Sequence, residues 1–162
     1  MRGAVVPGLL WFSAIGCGVM SGVYFAFSAF IMTSFARIAP DAGIAAMNAI
    51  NLQIVRSPFI PLFLATTLAA AGLAGYALLH WSAPWGWPAL TAGLLYFIGM
   101  FVVTMAFNVP LNDALAVQAS RSVDGAEVWV RYLSDWTFWN HVRTIASLSA
   151  SILFVVSLRA LG

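Results

Sequence analysis

Side chains that could bind and transform a small molecule are concentrated in three short segments of this sequence. An imidazole or a carboxylate can move a proton, and a guanidinium with amides can stabilise a negative charge. The candidates are Asn51 and Arg56 in the first segment, Asn108, Asn112 and Asp113 in the second, and Trp136, Trp139, Asn140, His141 and Arg143 in the third. Together with the tryptophans, these groups predict an aromatic-walled pocket.

Other roles remain open for the same residues. Trp136 and Trp139 also suit an interfacial aromatic belt, and Arg143 could instead reach lipid phosphate. Asn108 and Asn112 are four residues apart, so they could share a helix face or cap a helix break.

The histidines do not predict a metal site. Asp113 with His141 gives only two plausible ligands, and the sequence has no HExxH motif or paired histidines. His141 could also be an ordinary hydrogen-bonded interfacial histidine. His80 is expected at the opposite membrane face, which argues against a haem held by two histidines of one chain. Glycine-rich phosphate loops and GxSxG elbows are absent from the sequence as well.

The composition is that of an integral membrane protein. The chain has 162 residues, of which 62% are hydrophobic and 7% charged, against roughly 25% charged residues in soluble domains. Its seven arginines are spread along the sequence and there is no lysine, so no basic patch predicts a nucleic-acid partner. The single cysteine, Cys17, excludes an intrachain disulfide.

Four segments are long and apolar enough to cross a bilayer, and they form one membrane domain over residues 1–162. A crossing needs about 20 apolar residues. The predicted spans are about 5–35, 59–79, 87–107 and 136–161. The fold class is therefore an all-α bundle of four transmembrane helices, with short interfacial helices in the connections after spans one and three.

The fourth span is the informative one. Its uncharged stretch, 144–158, would rise only about 22 Å, short of the roughly 30 Å of hydrocarbon. The helix must therefore begin near Trp136, which brings Asn140, His141 and Arg143 to the edge of the hydrocarbon.

Both long connections fall on one side of the membrane, because an even number of crossings separates them. We call this side the loop face. It carries most of the arginines, namely Arg37, Arg56, Arg121, Arg131 and Arg143, whereas the opposite face has Arg2 and Arg159. By the positive-inside rule, the loop face should be cytoplasmic and both termini outside, in a plasma (inner) membrane. In the second connection, the spacing of Asp124 and Glu127 predicts the start of a short helix.

Small residues on helical spacing indicate close helix packing in span one. Ala14, Gly18, Gly22 and Ala26 recur every four residues and include a GxxxG step. This stripe predicts packing inside the bundle, or alternatively a homo-oligomer joined through Gly18 and Gly22.

Three motifs carry a family resemblance over essentially the whole chain. They are Gly22 to Ser28 (GVYFAFS), Phe107 to Asn112 (FNVPLN) and Trp136 to Thr144 (WTFWNHVRT). The chain resembles the small four-helix membrane proteins that include the fungal anthrone oxygenases. The resemblance implies oxidation of a polyphenolic anthrone to an anthraquinone by O2, without a recognised metal or flavin.

The same resemblance implies roles for individual residues. His141 would be the base, with Asp113 as its orienting partner or as the alternative base. Arg143, Arg56 and Asn108 would stabilise an enolate-like oxygen. The substrate would be held by Tyr24, Asn51, Asn112, Trp136, Trp139 and Asn140.

Two other functions remain open at this point. The protein could be a non-catalytic module that binds a quinone or another hydrophobic small molecule in the bilayer, or a scaffold subunit of a membrane complex. Oxygen uptake with an anthrone would separate an oxidoreductase from both.

Overall fold

A computed structural model of the protein describes residues 2–118 and 125–161, and every element in these ranges is helical. Four helical segments are long and apolar enough to cross a membrane. They are span 1 (Ala4–Phe35), span 2 (Phe59–Leu78), span 3 (Gly86–Val117) and span 4 (Gly125–Leu161). The predicted all-α bundle of four spans is confirmed.

The residues described form seven α-helices and three π-helical segments. The α-helices are α1 (Arg2–Ala26), α2 (Met32–Phe35), α3 (Pro40–Ile54), α4 (Phe59–Leu78), α5 (Gly86–Tyr96), α6 (Val109–Gln118) and α7 (Gly125–Leu161). Of these, α3 connects span 1 to span 2. The π-helical segments are Phe27–Ile31, Phe97–Val102 and Thr104–Asn108.

Span 3 continues past the predicted end near residue 107. Pro110 lies inside α6, where it lacks an N–H and would clash with the carbonyl four residues earlier in a regular helix. The wider π-helical turn of Thr104–Asn108 precedes it. Such local adjustments let membrane helices tolerate proline, which explains why the helix passes through.

Span 4 begins earlier than the predicted residue 136. It is one helix of 37 residues, with Glu127 in its first turn, so the expected separate short helix is the start of α7. Neither glycine nor proline follows Gly125 within this helix, so nothing breaks it. Arg121 and Asp124 lie outside the described residues.

The four spans pack in a ring, with span 1 between spans 2 and 4, and span 3 on the other side. Close approach depends on small residues. A Cβ on Gly93 of span 3 would lie 2.5 Å from the carbonyl oxygen of Ala70 on span 2. Ser151 of span 4 donates to the Ala14 carbonyl at 2.8 Å. The small-residue stripe of span 1 therefore faces span 4 over this stretch.

The two glycines of the stripe differ in their surroundings. A Cβ on Gly18 would meet the Ser151 hydroxyl at 3.3 Å, whereas Gly22 is exposed and has no atom within 4 Å of that position. Gly18 is thus used inside the bundle. A homo-oligomer through this stripe stays a prediction, and Gly22 is the glycine that offers it open surface.

A second apolar layer closes the bundle at the loop face. It joins side chains of α2, α3, α6 and the first turns of α7, namely Met32, Ile44, Met47, Leu115, Trp129, Tyr132 and Trp136. Gly43 lets α3 lie against the Trp129 ring. The layer fixes α3 over the membrane end of the bundle, and the polar residues predicted to carry function lie beneath and beside it.

Candidate functional site

A cavity of about 280 Å³ opens at the loop-face end of the bundle, where α3 lies over spans 1, 2, 3 and 4. Most of its wall is apolar. Its polar and aromatic lining consists of Tyr24, Phe27, Asn51, Phe59, Phe63, Thr104, Asn112, Asp113, Trp136 and Arg143. The lower end of the usual range for ligand pockets is about 300 Å³, so the cavity suits a molecule of a few rings.

Two helices widen where they line the cavity. Phe27 and Thr104 are the first residues of two π-helical segments, and both are in its wall. A π-helical turn shifts the side chains that follow it relative to a regular helix, and such turns are frequent at functional sites.

Arg143 is the only cation of the cavity lining among the described residues, and it is 5% exposed. Its guanidinium carbon lies 4.5 Å from the centre of the Tyr24 ring and 5.1 Å from that of Trp136. Such placement over aromatic rings stabilises a cation. The guanidinium also donates to Asn140 Oδ1 at 2.7 Å and to Thr104 Oγ1 at 3.4 Å. In the part of the chain that the structure describes, it forms no ion pair with a carboxylate.

Asn140 holds Arg143 against span 1. Its side-chain nitrogen donates to the Tyr24 carbonyl and to Ser28 Oγ, both at 2.7 Å, while its oxygen accepts from Arg143. The residue is completely buried. One amide therefore fixes both the arginine and the neighbouring helix.

Several buried donors around the cavity have no hydrogen-bond partner among the described residues. They are Arg143 Nε, Asn51 Nδ2 and Trp136 Nε1, and all three residues line the cavity. Leaving a buried donor unpaired costs about 1–3 kcal/mol. The three donors belong to residues of one cavity wall.

The second segment of polar residues joins span 3 to span 4. Asn108 is fully buried and donates to the Trp136 carbonyl at 3.2 Å. Asn112 accepts from the Tyr132 hydroxyl at 2.8 Å. Since the helix continues through Pro110, these amides make contacts between spans where the alternative reading expected a helix break.

The structure separates the predicted site residues into three groups. Tyr24, Asn51, Asn112, Asp113, Trp136 and Arg143 line the cavity. Asn108 and Asn140 are buried behind its wall and bond to residues that line it. Arg56, Trp139 and His141 lie outside its lining.

The residues outside the lining have clear positions. His141 is exposed and is two residues from Arg143, about 200° around the helix. Trp139 stacks on Phe107 with ring centres 3.7 Å apart, on another side of span 3. Arg56 is exposed in the turn after α3. Asp113 is the carboxylate of the cavity wall among the residues described, and it is also exposed.

A family model described as anthrone oxygenase matches residues 50–153, which is well over half of the chain. The chain belongs to the anthrone oxygenase family. No curated protein and no solved structure matches the sequence. The matched range contains Asn51, Asp113, Trp136 and Arg143, whereas Tyr24 of span 1 precedes it.

Two residues at the candidate site, Thr104 and Ser28, were not among those predicted from the sequence. Thr104 lines the cavity and contacts Arg143, and it is four residues before Asn108. Ser28 is four residues after Tyr24 and accepts from Asn140. Their helical spacing from recognised residues was a usable signal.

No group of three His, Cys, Asp or Glu side chains within residues 2–118 and 125–161 could hold a metal ion. The chemistry that this family member's cavity can provide on its own is binding, proton transfer and stabilisation of negative charge.

Proposed function

We propose that the protein is an oxygenase that converts a flat phenolic compound of the anthrone type into the corresponding quinone with O2, without a metal or a flavin. The observation that carries this proposal is the buried, carboxylate-free guanidinium of Arg143 in an aromatic cavity with unpartnered donors. The family membership supports the reaction type.

The cavity has the groups needed to stabilise an anion. When a proton leaves the methylene carbon of an anthrone, the negative charge moves onto the oxygen of its carbonyl group. Arg143, Asn51 and Trp136 each have a buried unpartnered donor for such an oxygen. Preorganised donors in a site of low polarity are the largest single contribution to many enzymatic rates.

Asp113 is the better placed base of the two candidates. It lines the cavity, whereas His141 points about 200° away from Arg143 on the same helix. A general base has to reach the proton directly or through one water. We therefore assign proton removal to Asp113, and the test below includes His141 as the alternative.

The aromatic wall would hold the flat ring. Tyr24 and Trp136 flank Arg143, and Phe27 packs against Trp136 with ring centres 5.5 Å apart. Aromatic side chains stack favourably on planar ligands. An oily substrate would be concentrated by the membrane and enter at its loop-face edge. We expect this edge on the cytoplasmic side, because the loop face carries most of the arginines.

The reaction balances without any further reductant. Asp113 removes one proton from the methylene group, and the carbanion transfers an electron to O2. Recombination of the two radicals gives a peroxide anion on that carbon. This anion takes up a proton, and loss of water from the hydroperoxide leaves the new carbonyl. One O2 is thus consumed for each CH2 converted to C=O, with one water released.

The test is oxygen uptake by the purified protein in micelles with a simple anthrone, corrected for the rate in the same micelles without protein. We expect Arg143→Gln to lower the rate about 10²–10³-fold, as for the loss of an oxyanion donor. Asp113→Asn should lower it at least about 10²-fold. Arg37→Gln, at an exposed arginine of the same face, is the matched control and should be unchanged.

The variant at His141 decides between the two bases. If Asp113 is the base, His141→Ala should keep the wild-type rate. If His141→Ala instead loses activity while Asp113→Asn keeps the wild-type rate, His141 is the base. If the wild-type protein shows no oxygen uptake above the rate in micelles alone, the oxygenase proposal is refuted.

A binding module is the second candidate, because the unpartnered donors would equally hold the oxygens of a quinone. Such a protein would show quenching of tryptophan fluorescence by a quinone, weakened by Arg143→Gln, without oxygen uptake. A scaffold subunit would show neither response.

A further inference from the structure

A second cavity lies at the end of the bundle opposite the loop face. Its volume is about 770 Å³, and it is formed by the start of span 1 and the ends of spans 2 and 4. The lining residues that matter here are Val6, Tyr76, His80, Trp85, Val155 and Arg159. None of them belongs to the candidate oxygenase site.

Charge at this end of the molecule is unbalanced. The acidic residues that the structure describes, Asp41, Asp113, Glu127 and Asp135, all lie towards the loop face. Arg159, in the last turn of α7, is exposed. No carboxylate side chain within residues 2–118 and 125–161 is therefore near Arg159.

The polar rim of the cavity is held by an aromatic stack. The rings of Tyr76 and Trp85 are nearly parallel with centres 5.8 Å apart, and the His80 ring is 4.3 Å from Tyr76. His80 Nδ1 is 2.9 Å from the Tyr76 carbonyl oxygen. Because a carbonyl can only accept, Nδ1 is the donor, and this bond fixes the orientation of the His80 ring.

The remainder of the wall is apolar. Val6 and Val155 continue the cavity along spans 1 and 4, below the level of Arg159. Tyrosine and tryptophan at a helix end are typical of the lipid headgroup level. The Arg159 cation above an apolar groove matches an anionic head on a hydrocarbon chain, whereas a free soluble anion would use only the rim.

We propose that this cavity binds one anionic phospholipid in the leaflet opposite the loop face. Arg159 binds the phosphate, the stack of Tyr76, His80 and Trp85 supports the glycerol region, and an acyl chain lies along Val6 and Val155. The site is separate from the proposed oxygenase cavity, so it stands or falls independently of that activity.

The experiment titrates short-chain phosphatidylglycerol, and in parallel phosphatidylcholine, into the detergent-purified full chain and counts bound lipid by native mass spectrometry. We expect tighter binding of phosphatidylglycerol, with one lipid bound at saturation. Arg159→Gln should weaken it at least about fivefold, since it removes a charge-assisted contact. Arg37→Gln, an arginine change at the loop face, should leave it unchanged.

A second variant tests the groove without removing charge. Val155→Trp would fill the apolar part of the cavity and should also abolish retention of phosphatidylglycerol, while the unfolding temperature in plain detergent stays near that of the wild type. Equal affinity for the two lipids, an equal loss in Arg37→Gln, or displacement of the lipid by an equal concentration of inorganic phosphate would each overturn the proposal.

Discussion

Replacing Asn140 with leucine tests whether one buried amide holds the cavity together. The side chain is completely buried and takes part in three hydrogen bonds, to the Tyr24 carbonyl, Ser28 Oγ and Arg143, each 2.7 Å long. Leucine has a similar volume, so the change removes the bonds with little change in packing. Arg143 would keep the longer contact to Thr104 and its places over two aromatic rings.

The magnitude follows from these contacts. Hydrogen bonds between membrane helices contribute about 0.6 kcal/mol on average, which gives roughly 2 kcal/mol for three bonds. The bond to the guanidinium is charge-assisted, and leaving a buried partner unpaired costs about 1–3 kcal/mol. We therefore expect Asn140→Leu to lower the free energy of unfolding by about 3 kcal/mol, more than a hundredfold in the folding equilibrium.

The assay is reversible unfolding in mixed micelles with increasing denaturing detergent, followed by circular dichroism. His141→Leu is the matched control, because it changes the exposed neighbour on the same helix and should alter stability by less than about 0.5 kcal/mol. A loss below about 1 kcal/mol for Asn140→Leu, or a loss equal to that of the control, would show that Asn140 does not tie span 4 to span 1 as described.

Three further changes test the fold around the site. Gly43→Ala should lower the free energy of unfolding by about 1–3 kcal/mol, because its Cβ would lie 2.5 Å from the Trp129 ring. Gly22→Ala is the control and should leave stability unchanged, because the space around Gly22 is open. Thermal unfolding in detergent compares the two variants. Cysteine placed at Arg37 and at His80 should react with an impermeant maleimide from opposite sides of the membrane, and labelling from one side would refute the topology. If a homo-oligomer forms through the exposed Gly22, Gly22→Leu should abolish the crosslinked dimer.

The fold was largely predictable because hydropathy reports directly on a bilayer. Uncharged stretches of sufficient length indicated four spans, and the short helix expected after span one is α3, which buries Ile44 and Met47. The helix ends were less predictable. In a soluble protein Pro110 would indicate a break in the helix, but here a π-helical turn precedes it and the helix continues.

The site was predictable in composition and less so in geometry. Helical spacing pairs residues on one helix, but it does not say which face of that helix meets the other spans. Trp139 and Arg143 share helical spacing, yet Trp139 stacks on Phe107 while Arg143 is in the cavity wall. Histidine is the usual base at neutral pH, which favoured His141 in the sequence. Its direction on α7 depends on the packing of all four spans.

Arg143 shows why the alternatives open at the sequence level could not be decided there. An arginine that lies four residues deeper in the membrane than an interfacial tryptophan can extend its side chain back to lipid phosphate when it faces lipid. The same residue becomes a buried cation when its helix turns inward, and it then needs partners that do not cancel its charge. Asn140 and Thr104 supply neutral oxygens, and Tyr24 and Trp136 supply ring faces. A guanidinium held by neutral groups keeps its attraction for an anion, whereas an ion pair with a carboxylate would have weakened it. In the proposed reaction, that anion is the enolate of the substrate.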